Sequence, residues 1–314
     1  VVPQASRAEI CRVSVPSGAD PTLSGESFDT GNKCRQVSGR NEQAQIQDRG
    51  GGAVISGVPH ESTDCLPDGR VISCISQSEM LAVWEDVNQN GGYLMAVQGL
   101  GSGALIADVG AHYGLAAIFF ADHVPNARIL AFEPAPPTFE CLRENLSRHV
   151  PGGRPFRYAL GARSGNRELT YSPVAPCVST IHVDNVDDRR TIEAIITNTG
   201  GHVREALGLL RLRDATEQSF SVPTTTLTEV FQQHNVETID LLKIDVERAE
   251  LDVLDGVSDE LWPCIRRIVM EVHDIDGRLV EAVNRLRARQ YEVTVSQPAM
   301  FRRTSLHIVT AMRD

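Results

Sequence analysis

The sequence predicts an α/β fold in which a mostly parallel sheet carries helices on both faces. Short β-rich runs alternate with helical runs from Leu105 onward, the pattern of strands joined by helical crossovers. The last two runs, "YEVTVSQ" and "LHIVTAMR", follow one another without a helix and predict an antiparallel hairpin at the sheet edge. With 314 residues, 41% hydrophobic and 23% charged, the chain has room for one large α/β domain and an accessory segment.

Taken in order, residues 1–75 are polar, rich in Gly and Ser and poor in periodic apolar positions, and are expected to form an N-terminal arm or lid. Residues 76–314 form the expected core. Its first element is an amphipathic helix, with Met80, Leu81, Val83, Trp84 and Val87 at helical spacing and Ser78 as N-cap. "LIADV" is then a strand leading into "GLAAIFFADHV", and "RILAFE" a strand leading into "PPTFECLRENLSRH". "TIDLLKIDV", "IRRIVMEVH" and the terminal hairpin supply the remaining strands, with helices at "AELDVLDGV" and "GRLVEAVNRLRARQ". Residues from about 176 to 222 lack strand rhythm and predict a lid-like insertion with a helix near "TIEAIITN".

Composition excludes several function classes. A net charge of −11 argues against a nucleic-acid partner, and the paired Arg266, Arg267, Arg302 and Arg303 read as solvated surface. The longest clean apolar run, Leu115 to Ala121, is far short of the ~20 residues that span a bilayer, so no membrane segment is expected. Seven cysteines, an odd number with no C-x-x-C pair, indicate reduced thiols and a cytoplasmic setting. The chain begins at Val1 with no charged-then-apolar leader, as expected of an excised domain or a trimmed chain rather than a secretory precursor.

Two glycine clusters compete for a ligand in "GLGSGALIADVGAHYG". A cofactor on such a sheet binds outside the carboxyl ends of strands. GLGSG precedes its strand and reads as a connecting loop, whereas VGAHYG follows the strand and opens a helix. Its pattern, Asp108-x-Gly110-x-x-x-Gly114, lacks the glycine spacing of a dinucleotide fingerprint. It suits a ligand without a pyrophosphate, such as S-adenosylmethionine: Gly110 supplies the turn, Gly114 the close approach, and Asp108 a contact to the cofactor ammonium or support for the loop. Glu133, 23 residues after Gly110 at the next strand end, can accept both ribose hydroxyls.

These stretches, with "VPTTTLTEVF", "IDLLKIDVERAELDVLDGV" and "IRRIVMEVHD", resemble the FkbM-type methyltransferases, most closely the O-methyltransferases of polyketide and nonribosomal peptide assembly lines. The resemblance covers roughly residues 66–313 and departs at His112, where the family usually carries Asn. It implies a class I, Rossmann-like methyltransferase with a seven-stranded sheet and S-adenosylmethionine as cofactor. Pro134 and His112 then join the cofactor residues, with Gln77 and Glu79 as contacts from a cap. The implied acceptor is a hydroxyl on a small molecule or on a carrier-protein-tethered intermediate.

An aliphatic hydroxyl needs a base before it attacks a methyl donor. Asp245 and Glu247 lie two apart at one strand end, and Glu271 and His273 two apart at the next, so each pair faces one side. His273 is expected as base, Glu247 as its carboxylate partner, and Asp245 and Glu271 as residues that shape the site. Glu250 and Asp252 read as solvated helix face. No metal is expected; the alternative gathers Asp245, Glu271, His273 and Asp274 around a divalent ion. An NAD-dependent oxidoreductase lacks support, since neither Lys33 nor Lys243 has a Tyr four residues before it. A sugar hydroxyl or amine acceptor, and a non-catalytic binding module, are the remaining readings.

Overall fold

Alternate residues of the central strands feed two different hydrophobic layers, and that alternation defines the architecture. A computed structural model describes residues 62–89, 91–200 and 203–313. In chain order the elements are β1 (Ser62–Cys65), β2 (Val71–Cys74), α1 (Gln77–Gln89), α2 (Gly91–Val97), β3 (Leu105–Val109), α3 (Leu115–His123), β4 (Arg128–Phe132), α4 (Pro136–His149) and β5 (Gly153–Phe156). There follow β6 (Ala159–Leu160), β7 (Gly165–Tyr171), α5 (Asn185–Asn198), α6 (Val203–Thr216), β8 (Gln218–Thr225), α7 (Leu227–Gln233) and β9 (Leu241–Ile244). The last are α8 (Glu250–Asp255), β10 (Arg267–His273), α9 (Arg278–Ala288), β11 (Glu292–Ser296) and β12 (Leu306–Met312).

Seven strands form the main sheet in the order β11-β12-β10-β9-β3-β4-β5. Neighbours from β10 to β5 pair in parallel, while β12 is antiparallel to both β10 and β11. This is the class I, Rossmann-like methyltransferase topology, with the order reversing at β3, where a ligand crevice opens. In β3, Ile106 packs into the layer formed with α1 to α4, whereas Leu105, Ala107 and Val109 pack into the layer formed with α7 to α9. Both faces are dry, so the strands are near-continuous apolar runs. Truncating a fully buried member such as Ile129 to Ala would cost roughly 2–5 kcal/mol.

Three expectations change. The predicted arm ends earlier, because the β1–β2 hairpin belongs to the core: Ser73 N–H donates to Asn145 Oδ1 of α4 at 2.7 Å, and Asn145 returns a bond to Ser73 O at 2.8 Å. The earlier part of that arm, residues 1–61, lies outside the described residues. The N-cap of α1 is Ser76, not Ser78, since Ser76 Oγ accepts the Glu79 N–H. Within the helix, Met80 and Val87 are buried while Leu81 is exposed.

The insertion is more structured than its sequence suggested. It contains two helices, α5 and α6, and β8 closes a second sheet in the order β6-β8-β7. Asp184 caps α5 by accepting the Val186 and Asp187 N–H groups. Arg213 of α6 pairs with Asp188 of α5 at 2.5 Å and joins the two helices, while Arg248 of the core pairs with Asp187 and Asp188 and holds α5 in place. No described helix is long and apolar enough to cross a membrane.

Candidate active site

A cavity of about 390 Å³ opens at the carboxyl ends of β3, β4, β9 and β10, roofed by α1, α5 and the turn at residues 299–301. Of the two glycine clusters, GLGSG forms the loop into β3 and contributes nothing to this wall, whereas Gly110 lines it. Gly110 has φ +77, and a Cβ there would lie 1.7 Å from the Asp245 carbonyl oxygen, so turn and close approach both fall on this glycine. Gly114, at φ +84, starts α3, and a Cβ on it would press Leu142 Cδ1 at 2.9 Å.

Lys243, which the motif reading passed over, is the post behind this turn. The register pairs it with Asp108 across β3 and β9, and its buried ammonium lies 3.1 Å from Asp108 Oδ1 and 3.4 Å from Asp245 Oδ2. It also donates to Gly110 O at 2.6 Å. Burial opposes its charge, but Asp108 and Asp245 outweigh that and raise its pKa. Asp108 is fully buried and off the cavity wall, so of the two roles expected for it the geometry favours support of the loop over direct contact with the cofactor.

At the end of β4, Glu133 and Pro134 line the cavity. Glu133 accepts the His112 N–H at 3.1 Å and the Ala135 N–H at 2.9 Å, and burial pushes its pKa up to about 7. His112 lines the same wall with its ring centred 3.7 Å from that of Tyr113 and tilted 35° to it, and burial drives its pKa down to about 3, so the ring is neutral.

The two cap residues do not line the cavity. Gln77 is exposed at the start of α1 and does not line the cavity. Glu79 is tucked behind the wall, accepting the Tyr113 hydroxyl and the Cys177 N–H at 2.7 Å each. It therefore ties α1 to the cofactor turn and to the start of the insertion, with burial raising its pKa to about 7. One turn further on, Asp86 does line the cavity, its pKa raised to about 7 by burial and by Asp245. Its place on the polar side of an amphipathic helix had concealed it.

Because β9 and β10 are neighbours, their strand ends bring the two expected pairs together. Asp245, Glu247, Glu271 and His273 all line the cavity. His273 Nε2 lies 3.1 Å from Glu247 Oε2, and Nδ1 lies 2.9 Å from Glu250 Oε1. Burial disfavours the charged ring, yet Glu247 and then Glu250 outweigh it and raise the His273 pKa well above the usual histidine range. Glu271 is pushed far up by burial and by the neighbouring Asp245 and Glu247.

Glu250 corrects the surface reading given to it: it is 1% exposed, holds His273, and accepts the Arg248 N–H at 2.8 Å. Glu247 and Arg248 have φ +48 and +74, and this double left-handed turn folds the start of α8 back under β10. Asp252 is half-buried and pairs with His182. Asp274, named in the metal alternative, is not on the wall; its Oδ1 accepts the Leu279 N–H. Glu247, Glu271 and His273 offer ligand atoms within 4.8 Å of one another, near enough to surround a cation, but both nitrogens of His273 already face carboxylates.

Residues 108–293 match the family described as Methyltransferase FkbM domain. The chain is 34% identical over 250 residues to 31-O-demethyl-FK506 methyltransferase FkbM of Streptomyces tacrolimicus, covering 79% of this chain and 95% of that one. It is 30% identical over 260 residues to AMB antimetabolite synthetase AmbE of Pseudomonas aeruginosa, covering 79% of this chain but 12% of that much longer one. Methyltransferase sdnD of Sordaria araneosa is 30% identical over 229 residues, with 70% and 85% covered. With the seven-stranded topology and the glycine turn at its switch point, these matches identify the chain as an S-adenosylmethionine-dependent enzyme that belongs to the FkbM methyltransferase family.

Proposed function

We propose that the protein methylates a hydroxyl group of a largely apolar secondary-metabolite intermediate, free or carrier-tethered, with His273 as general base. The observation that carries this reading is His273 at the cavity wall with Glu247 at one ring nitrogen and Glu250 at the other.

S-adenosylmethionine supplies an electrophilic methyl group on a sulfonium. The residues at the β3 and β4 ends suit it: Gly110, packed against the Asp245 carbonyl, puts bare backbone at the cavity wall, and each oxygen of Glu133 accepts one backbone N–H and keeps a lone pair for a ribose hydroxyl. Asp245, half-buried beside Lys243, faces the cavity where an ammonium group needs a partner.

With the ring deprotonated and Nε2 released from Glu247, His273 would take the proton of the acceptor hydroxyl at Nε2, and the oxygen would receive the methyl group of S-adenosylmethionine, leaving S-adenosylhomocysteine. Glu250 holds the ring through Nδ1, and Glu247 stabilises the positive charge that arrives. The raised pKa makes the ring a stronger base than free imidazole and puts the acid limb of activity above the usual histidine range. Ile181, Ile192, Ile195, Met300, Phe301 and Leu306 give the acceptor side of the cavity its apolar character. The relative from Streptomyces tacrolimicus is named for O-demethyl-FK506, which agrees with a hydroxyl acceptor.

Calorimetry with S-adenosylhomocysteine and NAD, followed by turnover of His273→Ala, tests the reading. The expected result is binding of the first ligand alone, and a His273→Ala variant that binds it normally without turnover. NAD binding, or an active His273→Ala variant, overturns it.

A further inference from the structure

Arg248 occupies a backbone position that few side chains tolerate. Its φ of +74 lies in the left-handed region, where a residue other than glycine is strained. Retaining a long charged side chain there points to a use for it. Arg248 is 3% exposed and lines the cavity with Glu247. Only Nη2 is engaged among the described residues, by Asp187 and Asp188; Nε and Nη1 are buried with no hydrogen-bond partner. Thr191 of α5 lines the same cavity, and its hydroxyl is also buried without a partner. Unmet buried donors of this kind are costly unless something else supplies the acceptor atom.

Charge selects what that something is. Arg248 and Arg213 already face Asp187 and Asp188, and Arg213 also pairs with Asp214 and Glu217, so the group has no positive charge left to neutralise an anion. Asp245 and Glu247 on the adjoining wall repel a carboxylate. A neutral oxygen with two lone pairs, a carbonyl, meets both conditions. Arg248, Thr191 and His273 line one cavity, so a single acceptor can meet all three.

We propose that Arg248, with the Thr191 hydroxyl, binds a carbonyl oxygen of the acceptor, so that the preferred substrate carries its hydroxyl and a neutral carbonyl (ester, thioester or amide) on nearby carbons. This rests on the hydroxyl-acceptor reading above, and it assigns Arg248 to the recognition of the substrate as well as to the anchoring of α5.

Two probes separate the claims: the N-acetylcysteamine thioester of 3-hydroxybutyrate, and the matching thioether in which the carbonyl is replaced by a methylene. Release of S-adenosylhomocysteine is followed for the full chain. The thioester is expected to show kcat/KM at least about tenfold above the thioether. Arg248→Met is expected to bring the thioester down to the thioether's level, and Thr191→Val to narrow the gap, both with S-adenosylhomocysteine affinity close to wild type. Equal use of the two probes by the wild-type chain, as for a pocket that merely holds water at Arg248, overturns the proposal and leaves the hydroxyl-acceptor reading standing. So does a preference retained in both variants. A wild-type chain that binds S-adenosylhomocysteine but methylates neither probe overturns the hydroxyl-acceptor reading, and this proposal with it.

Discussion

Replacing Glu250 by Gln removes one charge from the His273 ring while keeping the side chain's shape and an acceptor for the Arg248 N–H, which now lies 2.8 Å from the carboxylate. The ring's Nδ1 bond, 2.9 Å long and buried, changes from charge-assisted to neutral. Such a change is worth about 1.5 kcal/mol. The His273 side chain is 4% exposed and that of Glu250 1%, so water screens little of the effect. At 1.36 kcal/mol per pH unit, the ring pKa falls by about one unit. The acid limb of kcat therefore moves to lower pH by about one unit, and the plateau above it falls about tenfold because the imidazolium formed in the reaction has lost a partner. Initial rates of S-adenosylhomocysteine release across the pH range measure both. Because Glu250 does not line the cavity, affinity for S-adenosylhomocysteine stays at the wild-type value. An acid limb that does not move, together with an unchanged plateau, refutes the role given to Glu250 and to the His273 ring it holds.

Gly110→Ala puts a methyl group 1.7 Å from Asp245 O at a positive φ, forcing the β3 turn away from β9; calorimetry should show S-adenosylhomocysteine binding weakened by about a hundredfold or more. Turnover is expected to survive EDTA; loss of activity restored by a divalent ion would instead assign Glu247, Glu271 and His273 to a metal. Glu79, Asp86 and Glu133 have folded pKa values of about 7, above their ordinary values, so between the two the folded chain holds protons that the unfolded chain has released. Stability then falls as pH rises through that window, and His273, raised above 6.5, adds loss in the same direction at higher pH. Calorimetric unfolding of the cofactor-free protein should give a higher Tm near pH 6 than near pH 8, and the opposite order would count against these buried acids.

Where a residue's place on the cavity wall depended on its position along a strand, the sequence was enough to find it. Gly110 and Glu133 follow strands whose buried runs are unmistakable, and Glu247 and His273 stand at the ends of two more. Period-two geometry then orients them without further information. The small sheet of β6, β7 and β8 was harder to read, because its strands are short or half-exposed and the helices α5 and α6 interrupt them.

Glu250, Lys243, Asp86 and Arg248 mark what local pattern does not carry. Glu250 looks like surface in "AELDV", and only the paired left-handed residues before it turn its carboxylate beneath β10. Lys243 is a lone charge inside a strand until the register sets it beside Asp108, and Asp86 is one more acid on a helix until α1 crosses the cavity. The sequence alone located the strand ends, the glycine turn after β3 and the histidine at the end of β10, because backbone periodicity encodes which way a side chain points. The tertiary structure decided which charges are buried and what they meet, because burial and pairing depend on segments far apart in the chain.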